Sequence, residues 1–161
     1  MNHLKQIGAK LPEYGIDAML LSSAPGEFYG VGFHGEGYVV VTAGECRYFT
    51  DSRYIEAAEK TVTGAAIAMT SREKSYPALL QQAIDELGIR KMGFEDGYMT
   101  VAQYRYLDNA LQVELVPAQG LVNGLRAAKD QEEIDAMVQA QRIAERAFDE
   151  ILKFIKPGVT E

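Results

Sequence analysis

Residue types that build many active sites are scarce in this chain. Its 161 residues include one cysteine, two histidines and no tryptophan. A single cysteine, Cys46, excludes an intramolecular disulfide and any Cys-x-x-Cys motif. Its strand-like neighbours make it a half-buried thiol rather than a nucleophile. With only His3 and His34, no multi-histidine metal centre can be built. No His-Glu-x-x-His, Gly-x-Ser-x-Gly or phosphate-loop lysine motif is present. No run approaches the ~20 apolar residues of a membrane span, and Met1 to Lys10 lacks the apolar core of a signal peptide. The expected location is the cytoplasm, with no membrane partner. Basic charge is also in deficit: 16 Lys and Arg face 23 Asp and Glu, a net charge of −7, which argues against a nucleic-acid partner.

What is present is the pattern of an α/β domain. Leu4, Ile7 and Leu11 mark one face of a short helix to Tyr14, stopped by Gly15. Ile16 to Leu21 is an apolar strand, and Pro25-Gly26 reads as a break before one helical turn over Glu27 to Val31. Gly37 to Thr42 and Arg47 to Thr50, joined by Ala43-Gly44-Glu45, carry a hairpin signal. From Ala65 the order is strand, helix (Tyr76 to Leu87), strand (Lys91 to Glu95), helix (Val101 to Leu111), strand (Val113 to Val116). That alternation predicts parallel crossovers, and the hairpin makes the sheet mixed, with about six strands flanked by helices.

The character changes after Pro117. Gln119 to Asp130 reads as a connector, which places a domain boundary near 120, with residues 1–120 as the α/β domain and 121–161 as linker and helix. Asp130 and Glu133 have capping-box spacing. The long amphipathic helix that follows, Ile134 to Ile155, carries an apolar stripe that needs a cover. Lys156-Pro157-Gly158 stops it. Thr160-Glu161 then resembles the start of another helix, so the chain is expected to be a fragment of a longer protein.

Candidate site residues cluster in two short segments. Gly30-Val31-Gly32-Phe33-His34-Gly35 spells G-x-G-x-x-G, but the strand Tyr38 to Val41 follows it. A dinucleotide site needs the motif between a strand and a helix, so this match is a decoy. Two readings of the loop stand: a close-packed scaffold, or a turn that presents Phe33 and His34 outward. In Asp51-Ser52-Arg53-Tyr54, Asp51 reads most simply as a helix cap and Arg53 as an ion-pair partner or an anion contact. Glu132-Glu133 is a solvated first turn beside the helix dipole. Tyr98, Tyr104 and Tyr106 read as packing. No catalytic or metal-ligating set emerges.

Several pieces, in order, resemble one family. Gly15-Ile16-Asp17-Ala18, Gly32-Phe33-x-Gly35, Val40-Val41-Thr42 and Thr50-Asp51-Ser52-Arg53-Tyr54 look like the N-terminal domain of creatinase and prolidase proteins. Leu125 to Ile134 looks like the junction into a metallopeptidase domain, and Lys156 to Glu161 like the end of that domain's first helix.

The resemblance implies a parent Xaa-Pro aminopeptidase or dipeptidase of the pita-bread metallopeptidase family. In it a divalent metal pair (Mn, Co or Zn), held by two Asp, one His and two Glu of a catalytic domain, activates a hydroxide that attacks the bond before proline. No catalytic residue or metal ligand is then expected in this chain, which alone should be inactive. Its implied roles are oligomerisation and active-site gating. Its implied partners are the parent's own C-terminal catalytic domain, further copies of itself and a proline-containing peptide. Phe33 and His34 are the matched candidates for substrate contact within the oligomer; Asp51, Arg53 and Tyr54 match a motif of structural character. Two alternatives stay open: a stand-alone binding or interaction module, and the N-terminal domain of a creatinase-like enzyme.

Overall fold

A computed structural model describes residues 2–160 of the chain. The first compact unit extends to Ala127 and a second begins at Ala128.

In the first unit a six-stranded sheet runs in the order β4-β3-β2-β1-β5-β6. The strands are β1 (Ala18–Leu21), β2 (Tyr38–Thr42), β3 (Cys46–Thr50), β4 (Ala66–Met69), β5 (Lys91–Phe94) and β6 (Glu114–Pro117). β2 runs antiparallel to both β1 and β3; the remaining pairs are parallel. The expected mixed sheet is therefore present.

Helices cover both faces because alternate strand residues are apolar on both sides. Met19, Leu21, Val39, Val41 and Tyr48 face a core formed with α1 (Leu4–Lys10), α2 (Ala24–Val31), α3 (Ile55–Thr61) and α6 (Gln119–Ala127). Ala18, Leu20, Val40, Phe49, Met92 and Phe94 face a second core with α4 (Tyr76–Leu87) and α5 (Val101–Ala110). A strand buried on both faces, such as Met19-Leu20-Leu21, loses the polar alternation of a one-sided sheet.

Three local readings need correction. Pro25 and Gly26 do not break the chain; they lie in the first turn of α2, where proline's missing N–H costs nothing. The Ser23 hydroxyl caps that turn by accepting from the Gly26 amide at 2.8 Å. Asp51 does not cap α3, which starts at Ile55. Its carboxylate accepts instead from the Arg53 amide, and its carbonyl from the Tyr54 and Ile55 amides. Finally, 119–127 is not a connector but the helix α6, which buries Leu121 and Val122. Gly120 and Gly124, poor helix formers, disguise it in the sequence.

The second unit holds α7 (Gln131–Phe154), 24 residues or about seven turns. Its capping box is formed: the Glu133 amide donates to Asp130 Oδ1 at 2.8 Å and the Asp130 amide to Glu133 Oε2 at 2.9 Å. α7 buries none of its residues, so Met137, Ile143, Phe148 and Ile151 stand exposed, as does Ile155 directly after it. Among the described residues, no helix is long and apolar enough to cross a membrane.

Candidate functional site

β1 and β5 lie side by side and parallel, yet the helices that follow them leave to opposite faces of the sheet. Such a divergence opens a crevice at the carboxyl ends of the strands, where α/β sheets hold their ligands. A cleft of about 520 Å³ occupies this place. Ser22, Ala24 and Glu27 line it from the β1 side, and Tyr98 and Gln103 from the β5 side. His34, Glu36, Gly37, Tyr38, Tyr54 and Tyr76 complete the wall.

Two buried carboxylates build this edge, and neither is singled out by the sequence. Glu95, directly after β5, is 1% exposed and fully engaged. Its Oε2 accepts from the amides of Ser22 (2.7 Å) and Ser23 (2.8 Å), and its Oε1 from the Ser23 hydroxyl (2.7 Å). Glu27, on α2, is 2% exposed. Its Oε1 accepts three hydrogen bonds, from the amides of Gly35 and Gly37 (3.1 Å each) and from the Tyr48 hydroxyl (2.6 Å). That carboxylate organises the loop between α2 and β2. Burial and the Glu27 carboxylate together push the Tyr48 phenol well above its usual range, so it serves as a fixed donor.

The glycine-rich loop is built for close approach. Gly32 ends α2 with φ 70°, a left-handed value that an L side chain adopts at a cost. At Gly35 a side chain would collide with the Tyr48 hydroxyl. Glu36 sits at φ 51°, in a left-handed conformation unusual for a non-glycine residue. It is held from two sides: Arg53 Nη2 donates to its Oε2 at 2.8 Å, and the Tyr76 hydroxyl donates to its carbonyl at 3.5 Å.

The matched residues fall around this one edge of the sheet. Phe33 turns half inward, packs on the first core and meets Tyr48 edge-on at 6.2 Å between ring centroids. His34 is exposed, stacks on Phe28 at 4.5 Å and borders the cleft. Arg53 forks onto Asp51 through Nε and Nη2, with contacts of 2.8 to 3.1 Å, and also bonds Glu36. Its guanidinium lies over the Tyr54 ring at 4.9 Å. The Arg53 side chain and amide hold the Asp51 carboxyl below its usual range. Arg53 is thus an ion-pair partner that ties the β3 end to the loop. His3 lies elsewhere, buried, with its ring stacked on Tyr29 and Nδ1 at 3.0 Å from the Tyr29 carbonyl.

Of the tyrosines read as packing, Tyr104 does pack, 5.3 Å from Phe94, whereas Tyr98 is exposed on the cleft wall. The residues missed by sequence reasoning are Glu27, Glu95, Tyr38 and Tyr76. A lone glutamate on a short helix or at the end of a strand carries no signal.

Residues 3–128 match the creatinase/prolidase N-terminal domain family. This chain belongs to that family. It is 35% identical over 151 residues to an uncharacterised peptidase of Bacillus subtilis, YqhT, covering 92% of this chain but 42% of that protein. The chain therefore spans less than half the length of this relative. Its fold matches an Xaa-Pro dipeptidase from Bacillus anthracis with a TM-score of 0.90 and 34% identity, over 98% of this chain and 44% of the other. It also matches the N-terminal domain of the cytoplasmic peptidase PepQ from Mycobacterium tuberculosis, with a TM-score of 0.67 and 30% identity, over 76% of this chain and 97% of that one.

Proposed function

We propose that this chain is the N-terminal, non-catalytic domain of an Xaa-Pro peptidase, acting in assembly and in control of access to an active site carried elsewhere. The observation that carries this reading is the fit to the Bacillus anthracis dipeptidase, which takes in nearly all of this chain and under half of that one. Hydrolysis before proline by a divalent metal pair (Mn, Co or Zn) then belongs to a following catalytic domain. The cleft residues do not suit such a pair. His34, Glu27 and Glu36 do not bring three ligating atoms together, and Glu27 spends one oxygen on three protein donors.

The exposed apolar face of α7 fits the same reading. A helix showing Met137, Phe148 and Ile151 to solvent has the surface that a catalytic domain would cover. His34 and Phe28, stacked and accessible at the loop, are placed to meet a peptide or a neighbouring subunit in a homo-oligomer. A cytoplasmic location is part of the proposal, on the likeness to the Mycobacterium tuberculosis peptidase.

The test is Xaa-Pro dipeptide hydrolysis with Mn²⁺ or Co²⁺, by the 161-residue chain and by a longer protein that continues into a catalytic domain. Activity confined to the longer protein is the expected result. Activity in the short chain would overturn the gating role, and inactivity in both would favour a stand-alone binding module.

A further inference from the structure

The two carboxylate oxygens of Glu27 are used unequally. One carboxylate oxygen is saturated by three donors, while Oε2 takes no hydrogen bond from the described residues. This oxygen is the part of an otherwise buried side chain that meets the cleft. Oε2 is an acceptor open to the cleft rather than a buried orphan, so a ligand N–H there takes the place of water as its donor.

The surroundings specify the donor's charge. Among the described residues no lysine or arginine lines the cleft; its ionisable groups are Glu27, Glu36, His34 and four tyrosines. The nearby Arg53 is already committed to Asp51 and Glu36. Burial, followed by the negative charge of Asp51, pushes the Tyr76 phenol up to about 12, so its hydroxyl stays neutral and able to accept. Tyr38, Tyr54, Tyr76 and Tyr98 add aromatic surface, which attracts cations.

We propose that this cleft binds a primary ammonium group, with Glu27 Oε2 as its charge partner and the tyrosines as its walls. An N–H-bearing cation suits the site better than a quaternary one, because the carboxylate oxygen and the tyrosine hydroxyls are hydrogen-bond acceptors. A peptide amino terminus and a lysine side chain share this chemistry, and about 520 Å³ admits either. The assignment stands on the cleft alone and does not depend on the peptidase reading.

The experiment is titration of the ¹⁵N-labelled 161-residue chain, followed by NMR, with three probes: glycinamide, Nα-acetyl-lysine amide and tetramethylammonium. The expected result is saturable shifts at the amides of Gly35, Gly37 and Tyr98 with at least one primary amine, and weaker binding of tetramethylammonium. The tighter of the two amines names the source. Glu27→Gln keeps an oxygen for Gly35, Gly37 and Tyr48 but turns an NH₂ toward the cleft, and should weaken binding roughly tenfold or more. If Glu27→Gln does not fold, Tyr98→Ala, at an exposed wall position, carries the test with an expected loss of about threefold or more. No saturable shift with either amine, or unchanged affinity in the folded variant, overturns the proposal. Because the readout is binding by the chain itself, its failure leaves the peptidase reading untouched, and the reverse also holds.

Discussion

Glu95 holds Ser23 across 72 residues of sequence, accepting both its amide and its hydroxyl within 2.8 Å. The same hydroxyl accepts from Gly26 and so caps α2. One side chain at the end of β5 thus fixes the turn out of β1 and the start of the helix that carries Glu27. The cleft exists because those two strand ends are tied together.

Removing that tie should be expensive. Glu95→Ala leaves the Ser22 and Ser23 amides without an acceptor in a buried site, with an expected loss of about 2–5 kcal/mol. Urea denaturation measures it. Ser23→Ala, which loses the cap and one bond to Glu95, should cost about 1–2 kcal/mol. Equal losses for the two variants would mean that Glu95 acts through the cap alone.

Arg53 should control the loop rather than the fold. It is solvent-exposed, yet it bridges Asp51 to Glu36, the residue held at φ 51°. Arg53→Ala should speed amide hydrogen exchange through 34–37 while the melting temperature barely moves. Arg53→Lys keeps the charge but not the fork, and should fall between. Unchanged exchange in Arg53→Ala would show that Tyr76 and Glu27 hold the loop unaided.

Asp17 sets part of the acid limit of stability. Its Oδ2 accepts from the Arg90 and Lys91 amides at 2.9 Å each, latching β1 to β5. These bonds, that of Lys91 first, hold its carboxyl below the ordinary 3.8. The folded form therefore binds fewer protons than the unfolded one in this window, so stability rises with pH there. The contribution is complete above 3.8 and is lost as pH falls through the depressed value. Between pH 6 and pH 3 the wild type should lose more stability than Asp17→Asn, as urea midpoints would report. Parallel losses would assign the acid sensitivity to other carboxylates, Asp51 among them.

Cys46 should be a slow thiol. It is half-buried on β3, and burial pushes its pKa up, with the Thr42 backbone opposing weakly. Alkylation by iodoacetamide at pH 8 should run at least about tenfold slower than for a free cysteine and reach the free rate in denaturant. Rapid reaction in the native protein would show that β3 opens locally.

The sequence by itself determined the order of the strands, the helices between β4 and β6, the mixed sheet and the family. Apolar periodicity, glycine stops and turn residues are local signals, and α4 was legible from Tyr76 to Leu87 because its apolar spacing, its Pro77 and Gly88 all agree. Where local signals conflict, the tertiary structure decided. Gly120 and Gly124 argue against a helix, yet α6 forms because Leu121 and Val122 gain a buried face. Asp51 has the composition of a cap but serves Arg53, because the ion pair to the 34–37 loop comes from a distant segment. The cleft was beyond sequence reasoning for the same reason. Glu27 and Glu95 look like any surface glutamate in a list of residues. Only the pairing of β1 with β5 brings them under one crevice, where one carboxylate is fully satisfied by the protein and the other keeps an oxygen for the cleft.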